Sequence, residues 1–359
     1  MTLAEELARH VRESPLAEPL GDGRVRCLAC GHRCPIFPGL PGVCKVRFND
    51  SGRLMAPHGY VNALHVDPIE KKPFFHALPG ARALSFGMLG CDLHCDYCQN
   101  WLSSQALRDP AAEVYFQPLS AQEIVRQALL SGSQCIVSTY NEPLITAEWA
   151  VEVFREARRH GLVTGFVSNG NATPEVLEYL RPWLDLFKVD LKSFRDSNYR
   201  KLGGRLAPVL DSIRRIHEMG FWLEVVTLVV PGFNDSEEEL REMAEFLAGI
   251  SADIPWHVTA FHPDYKMTDP RPTSPADLLR AVQAGKQAGL RYVYAGNLPG
   301  RLGDLENTRC WQCGAAAVER YGFRVLANRL APGGRCRGCG AAIAGVWEAP
   351  ARRVEKEAS

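Results

Sequence analysis

Between residues 83 and 296 short apolar runs alternate with helical stretches, and this pattern leaves few folds open. The runs are ALSFGML (83–89), CIVSTY (135–140), VTGFVS (163–168), LFKVDL (186–191), LEVVTLVV (223–230) and HVTAF (257–261). Between or after them lie AQEIVRQALL, AEWAVEVFREARRHG, PEVLEYLRPW, PVLDSIRRIHEMG, EEELREMAEFLAGI and PADLLRAVQAGKQAG. Strands that are apolar on both faces must be covered on both faces, so the alternation predicts a parallel sheet beneath helices. Six such units predict an α/β fold, a partial (β/α)6 barrel, which the further run YVYAG (292–296) extends. A barrel of roughly 200–250 residues leaves room for small appendages in a chain of 359.

The appendages are marked by cysteine. Twelve cysteines occur, and all but Cys135 fall in three groups: Cys27, Cys30, Cys34 and Cys44; Cys91, Cys95 and Cys98; Cys310, Cys313, Cys336 and Cys339. The N-terminal stretch MTLAEELARHVRESPLAEPL has no basic segment leading into an apolar run, and no stretch approaches the ~18 apolar residues of a membrane span. A cytoplasmic protein with no membrane partner is expected. Thiols are kept reduced there, so metal ligation is the leading reading of the cysteines and disulfides are not expected. The 41 basic residues balance the 41 acidic ones, which gives no global argument for a nucleic-acid partner. Cys135, which begins an apolar strand, is expected to be a small buried hydrophobe.

The middle group carries the chemistry. GMLGCDLHCDYCQNW spaces its cysteines C-x3-C-x2-C directly after the first strand of the barrel. Loops at the C-terminal ends of barrel strands form the active-site face. Iron–sulfur clusters commonly take four thiolates, and here three are local. One iron is then left open to chelate a small molecule through an amine and a carboxylate, two groups that S-adenosylmethionine (SAM) offers. The plainer alternative is a zinc site or a structural thiol cluster. The preceding strand, Tyr97 just before the last cysteine, and the barrel pattern that follows favour the iron–sulfur reading.

These three cysteines match the signature of the radical SAM superfamily. More widely the chain resembles relatives of the pyruvate formate-lyase activating enzyme, and within them it looks most like the AmmeMemoRadiSam system radical SAM enzymes. The resemblance rests on CLACGHRCPIFPGLPGVCKVRFN, DPIEKKPFFHALPG, GCDLHCDYCQNW, TYNEP, VSNGN, FKVDLKSF, FHPDYKM and YVYAGN, and spans roughly residues 25 to 348. It implies a [4Fe–4S] cluster on Cys91, Cys95 and Cys98. It also implies reductive cleavage of SAM to a 5′-deoxyadenosyl radical and hydrogen abstraction from a substrate, either a glycyl residue of a partner protein or a small molecule. It further implies an external one-electron donor of the flavodoxin or ferredoxin type, and a pathway shared with Memo-like and AMME-type proteins.

The candidate SAM contacts are the polar residues at strand ends. STYNEP resembles the Gly-Gly-Glu segment that meets the SAM amino group, with Tyr140 and Asn141 in place of the glycines, so only Glu142 and Pro143 carry over. Ser168 and Asn169 of VSNGN are short and polar, with Gly170 allowing close backbone approach; the alternative is a simple strand-to-helix turn. Asp190 and Lys192 are two apart and therefore share a face of their strand, facing the barrel mouth or forming a buried ion pair. His262 resembles the histidine near the adenosyl group in activating enzymes. Asp264, Tyr265 and Lys266 are weaker candidates on the substrate side.

The flanking groups read as separate modules. RCWQCGA…RCRGCGA carries two CxxCG knuckles 22 residues apart and resembles a zinc ribbon. Four thiolates close a tetrahedral site, which is structural. The arginines around it (Arg301, Arg309, Arg320, Arg324, Arg329, Arg335, Arg337) lack the aromatic interleaving of a nucleic-acid platform, so a folding unit or docking surface is the expected role. The N-terminal set, C-x2-C-x3-C-x9-C with His32 nearby, is expected to hold zinc or a second iron–sulfur cluster, with zinc slightly preferred. The expected organisation is an N-terminal helix and four-cysteine module over 1–65, the barrel over 66–300, the zinc-ribbon-like module over 301–348 and a disordered tail over 349–359. Within the first of these, Leu3, Leu7 and Val11 predict an amphipathic helix reaching towards Pro15. The competing view of the whole chain is a non-enzymatic scaffold or docking protein with zinc at all eleven grouped cysteines.

Overall fold

The computed structural model describes residues 2–349; of the tail expected over 349–359, residues 350–359 lie outside the described residues. Its centre is one eight-stranded sheet. We label its strands β1 (Ala63–Pro68), β2 (Arg82–Gly87), β3 (Cys135–Ser138), β4 (Val163–Ser168), β5 (Leu186–Asp190), β6 (Trp222–Val229), β7 (Trp256–Ala260) and β8 (Val293–Gly296). From β2 to β8 neighbouring strands pair in parallel, whereas β1 pairs antiparallel with β2. The order is linear from β1 to β8, so the sheet curves without closing, as expected of a partial barrel. YVYAG does supply the last strand. The antiparallel β1 has no counterpart in the sequence reading, and it runs across the boundary drawn at 65.

Helices Ala121–Leu130, Ala147–Arg159, Pro174–Leu180, Leu206–Glu218, Glu237–Ile250 and Pro275–Gln287 follow β2 to β7. Several start on polar caps: Ser120 and Ser274 form capping boxes with Glu123 and Asp277, and Thr173 and Ser236 each accept one amide of the first turn. Their apolar stripes bury Trp149, Phe154, Leu177, Ile213, Met243 and Leu278 against the outward faces of the strands. An aromatic row runs through this layer, with Phe86–Phe154, Phe154–Phe166, Phe166–Phe187 and Phe187–Phe221 centroids 5.6–6.2 Å apart. Among the described residues no helix is long and apolar enough to cross a membrane.

The barrel floor is closed by the segment between β1 and β2. Ile69, Phe74, Ala77 and Leu78 pack on the first residues of the strands, Ala83, Cys135, Val163 and Leu186. Cys135 is fully buried there, as its sequence context indicated. The C-terminal module sits against this plug. Leu78 N–H donates to the Val346 carbonyl at 2.9 Å and Val346 N–H to the His76 carbonyl at 2.8 Å. Arg320 is buried, not part of an exposed basic face. Its guanidinium donates to the Phe75 carbonyl at 2.7 Å, approaches Glu70 at 3.5 Å and lies 4.4 Å over the Phe75 ring.

The N-terminal helix is shorter than expected. It spans Leu3–Leu7, and Val11–Glu13 instead forms a strand paired with Met55, Ala56 and Pro57. Three apolar residues at helical spacing are a weak signal, because a short helix is marginal by itself, and pairing with Met55–Pro57 gives the backbone of Val11–Glu13 its partners instead. Residues 24–61 form short strands at Arg24–Cys27, Pro35–Ile36, Phe48–Asp50, Arg53–Pro57 and Tyr60–Val61.

His76 lies at the seam between plug, barrel and C-terminal module. Its Nδ1 donates to the Ala344 carbonyl at 2.7 Å, so its Nε2 accepts from the Tyr294 hydroxyl at 2.6 Å. Burial lowers its pKa to about 4 against the opposing pull of Glu224. The unfolded chain therefore binds this proton more readily, and stability present above pH ~6.5 is lost as pH falls towards 4, by roughly 3 kcal/mol in all. Urea unfolding at pH 7, 6 and 5 should show this decline, and His76→Gln should flatten it. An equally steep decline in the variant would contradict the assignment.

Candidate active site

The strand C-terminal ends open into a cavity of about 440 Å³. It is lined by Cys91, Cys95 and Cys98 and by Glu142, Ser168, Asn169, Asp190 and Lys192. Each comes from the end of a strand or the loop just after it, which is why residues far apart in sequence share one wall. The cysteine loop after β2 is held from both sides. His94 N–H donates to the Leu202 carbonyl at 2.9 Å, and the amides of Lys266 and Met267 donate to the Asp96 carbonyl at 2.9 and 3.0 Å. Leu93 N–H points at Cys91 Sγ, 3.4 Å away, and Cys98 Sγ lies 3.2 Å from Ser104 Oγ.

STYNEP and VSNGN form one hydrogen-bonded unit. The Glu142 carboxylate accepts from Ser168 Oγ at 2.6 Å, Asn169 N–H at 2.7 Å and Leu144 N–H at 3.0 Å. Burial, and then the nearby Asp92 charge, push its pKa up to about 8 in spite of these three bonds. Asp92 in turn accepts from Asn169 Nδ2 at 2.6 Å and Asn171 Nδ2 at 2.8 Å. Tyr140, which stands where the resembling motif has a glycine, takes a left-handed backbone with φ +73°. A bulky residue there is strained. The ring is held by Lys72, whose Nζ donates to the hydroxyl at 3.1 Å and lies 4.8 Å from the ring centre, and by the edge of His65.

On the facing wall Asp190 lies between Lys188 and Lys192. Lys188 donates to one carboxylate oxygen, and Lys192 Nζ to the other at 3.4 Å. Burial opposes the Asp190 charge, but the two ammonium groups hold its pKa below the usual range. Burial pushes the Cys95 thiol up to about 12, opposed by Lys192. A metal that replaces the proton removes that cost.

The structure places His262 differently from the other candidates. It is exposed, does not line the cavity, and accepts at Nε2 from the Gln99 amide at 2.9 Å; Gln99 itself lines the cavity. Tyr265 and Lys266 lie over the cysteine loop. Tyr265 stacks on Trp101 at 4.9 Å and donates to Asp109, to which Lys266 is also bound at 3.1 Å. Lys72, Lys188, His257 and Tyr294 line the cavity and were not singled out by sequence. Lys188 continues the period-2 series of Asp190 and Lys192. Glu224 and His257 are ionisable residues within otherwise apolar strands. That signal was present: Glu224 is fully buried and accepts from His257 Nε2 at 2.6 Å, Phe75 N–H at 3.0 Å, His76 N–H at 2.9 Å and Trp222 Nε1 at 3.0 Å.

Sulfur spacing differs among the three cysteine groups. The Sγ atoms of Cys310, Cys313, Cys336 and Cys339 all lie within 4.8 Å of one another, with Cys310–Cys339 at 3.6 Å and Cys313–Cys336 at 3.7 Å. A metal–sulfur bond of ~2.3 Å in a tetrahedron sets the sulfurs ~3.8 Å apart, so this set fits one ion. Its knuckles repeat the same turn, with Gly314 at φ +74° and Gly340 at φ +76°, and Gly338 N–H points at Cys336 Sγ from 3.3 Å. Among the described residues no other three thiols converge this closely. Cys91, Cys95 and Cys98 thus do not close on a single point as the C-terminal four do.

The family model described as the Radical SAM superfamily matches residues 87–247, from the end of β2 into the helix after β6. An uncharacterized protein of Methanocaldococcus jannaschii is 36% identical over 93% of this chain and 99% of its own length. The pyruvate formate-lyase-activating enzyme of Staphylococcus epidermidis is 26% identical over 51% of this chain and 76% of its own. The chain belongs to the radical SAM superfamily. It is an enzyme whose [4Fe–4S] cluster and SAM support radical chemistry, and the three thiols lining the barrel mouth are the ligand type that cluster takes. A radical SAM methyltransferase from Sphaerobacter thermophilus superposes with a TM-score of 0.48 at 17% identity, over 61% of this chain and 67% of its own.

Asp92 is the acceptor for two buried side-chain amides of this enzyme. Asp92→Ala should cost about 3 kcal/mol of stability, since both amides lose their acceptor in a dry interior. Chemical denaturation checks this, and a loss under ~1 kcal/mol would contradict it.

Proposed function

We propose that this enzyme cleaves SAM reductively at a cluster held by Cys91, Cys95 and Cys98, and acts on a substrate that enters the barrel cavity. The observation that carries the reading is the cavity wall itself: three thiols, a bonded Glu142–Ser168–Asn169 unit and a Lys188–Asp190–Lys192 series face one space. When bound, the cluster and SAM supply an electron and a 5′-deoxyadenosyl radical that abstracts hydrogen.

The residues of the chain bind and orient. Glu142 accepts the SAM ammonium, and Ser168 and the Asn169 amide hold its carboxylate towards the cavity. Its raised pKa means that the carboxyl carries a proton at neutral pH before the ammonium arrives, so ligand binding is coupled to release of that proton. Asp190 and Lys192 offer one acceptor and one donor to the ribose, carboxylate or substrate. His262 closes the rim through Gln99. The plug below, with Phe75, excludes water from the cavity floor. Polar lining continues past the SAM contacts to Lys72, Tyr140, His257 and Tyr294, which favours a small polar substrate reaching that depth. A glycyl residue of a partner protein is the reading that likeness to pyruvate formate-lyase-activating enzymes supports. A flavodoxin or ferredoxin type donor is the partner the reductive step requires. Association with Memo-like and AMME-type proteins rests on resemblance alone.

The C-terminal module is proposed to hold zinc, because its four sulfurs fit one tetrahedral ion and it is packed beneath the barrel floor rather than at the mouth. The units 1–65, 66–300 and 301–348 are proposed as domains, with the first boundary moved back to 62 so that β1 stays whole.

Anaerobic reconstitution, dithionite reduction and addition of SAM should yield 5′-deoxyadenosine. Cys95→Ala should abolish the product together with about four irons, whereas Cys310→Ser should remove zinc and lower stability while cleavage persists in the soluble fraction. Equal loss of cleavage in soluble, iron-replete forms of both variants would break this division. Glu142→Gln should weaken SAM binding by about tenfold, the loss expected when one charged hydrogen bond worth ~1.4 kcal/mol is removed. In the parent enzyme SAM should bind more tightly at pH 8.5 than at pH 7, with proton release detectable by calorimetry in buffers of different ionisation enthalpy. Binding that is independent of pH would contradict the assignment of Glu142.

A further inference from the structure

The N-terminal cysteine module is built onto the active-site loop. Gly90, immediately before Cys91, has φ +94°, and a Cβ there would meet Val46 at 2.8 Å and the Cys44 carbonyl at 3.2 Å. His32 Nε2 donates to the Asp92 carbonyl at 3.0 Å. The Arg108 guanidinium bridges the two loops, donating to the Val43 carbonyl at 2.5 Å and the Leu93 carbonyl at 3.2 Å. Gly31 N–H donates to the Asn171 carbonyl at 2.8 Å, beside the amide that Asn171 gives to Asp92. Two groups of cysteines that are far apart along the chain are thus separated by little more than van der Waals contact between their own loops.

The sulfur spacing separates this module from the zinc-ribbon-like one. Cys27, Cys30 and Cys44 are buried and Cys34 is partly so. Yet no three of these sulfurs converge within 4.8 Å, although the C-terminal four do so in the same chain. In this the N-terminal set matches the Cys91, Cys95 and Cys98 loop. The N-terminal thiols are therefore not gathered on one point as in the single-ion site of the C-terminal module. A second observation points to an anionic group. Arg47 is fully buried, with Glu148 taking two of its N–H groups at 2.8 Å, while its Nε–H has no acceptor in the protein. Cys27 and Cys44 lie within its electrostatic reach. A buried guanidinium with a spare donor within reach of Cys27 and Cys44 suits a metal cluster whose thiolates and sulfides carry net negative charge.

We propose that Cys27, Cys30, Cys34 and Cys44 hold a second iron–sulfur cluster, which passes one electron across the Cys44–Gly90 contact to the cluster at the barrel mouth. The inference rests on the radical SAM reading of that mouth. The second cluster is oxidised by one electron and the SAM-site cluster is reduced by one. A low-potential one-electron donor protein of the flavodoxin or ferredoxin type restores the first, and no proton or bond is exchanged in the relay.

The test uses the full chain, reconstituted anaerobically. The variant Cys91→Ala/Cys95→Ala/Cys98→Ala should retain about two to four irons with matching sulfide and an EPR signal on reduction. The same variant holding no sulfide, or a second zinc in place of iron, overturns the proposal. The Cys27→Ser/Cys30→Ser variant should lose that signal. In it the ratio of flavodoxin-driven to dithionite-driven 5′-deoxyadenosine formation should fall at least tenfold, and an unchanged ratio overturns the relay. Should that variant fail to fold, the unmodified enzyme still decides: two clusters in adjoining loops must broaden each other's EPR signals, and additive, unbroadened spectra overturn the placement. Failure of the SAM reading itself would show as absence of 5′-deoxyadenosine with dithionite, which leaves the iron content of the triple variant untouched.

Discussion

The buried carboxylate of Asp92 is the interaction on which the rest of the mouth depends. It has no exposure to solvent and satisfies its charge with the side-chain amides of Asn169 and Asn171, while its backbone carbonyl takes the imidazole of His32. One residue therefore joins the cysteine loop, the loop after β4 and the N-terminal module. Its charge is also a main reason that Glu142 ionises reluctantly.

A second polar centre fixes the opposite end of the barrel. Glu224 accepts four hydrogen bonds from the plug, from β6 itself and from His257 of β7. Burial alone would favour its neutral form, but His257 and these donors hold its pKa below the ordinary range. The plug is thereby tied to the strands by a charge that could not be left unpaired. His76, Tyr294 and Arg320 extend the same network into the C-terminal module. The floor of the cavity is thus fixed by this polar network as well as by the apolar plug beneath it.

Much of the architecture was legible because parallel strands and their helices obey local periodicities. The helices begin and end within a few residues of the runs read from sequence, and the last strand at Val293–Gly296 matches YVYAG. The reading failed where pairing between distant segments outweighs local pattern. Val11 is helical by spacing, yet it pairs with Pro57; Ala63–Pro68 becomes an edge strand because β2 offers it a partner. At the site the strand-end residues Glu142, Ser168, Asn169, Asp190 and Lys192 were readable, since polar residues closing apolar runs stand out. Lys72 was not, because it lies in an irregular segment whose position under Tyr140 depends on the whole barrel. His262 looked like a ligand by its motif, and its side chain turned out to be exposed at the rim.

The sequence by itself determined the class of fold and the chemistry of the ligands, because apolar alternation and cysteine spacing are properties of neighbouring residues. Tertiary structure alone decided which cysteine groups converge and which spread, how the N-terminal module meets Gly90, and that Arg320 is buried where a basic surface was conceivable. Those outcomes depend on distances between segments far apart along the chain. A spacing such as C-x2-C-x3-C-x9-C fixes the number of thiols in a module, but the separation of their sulfurs is set by the packing of the loops that carry them.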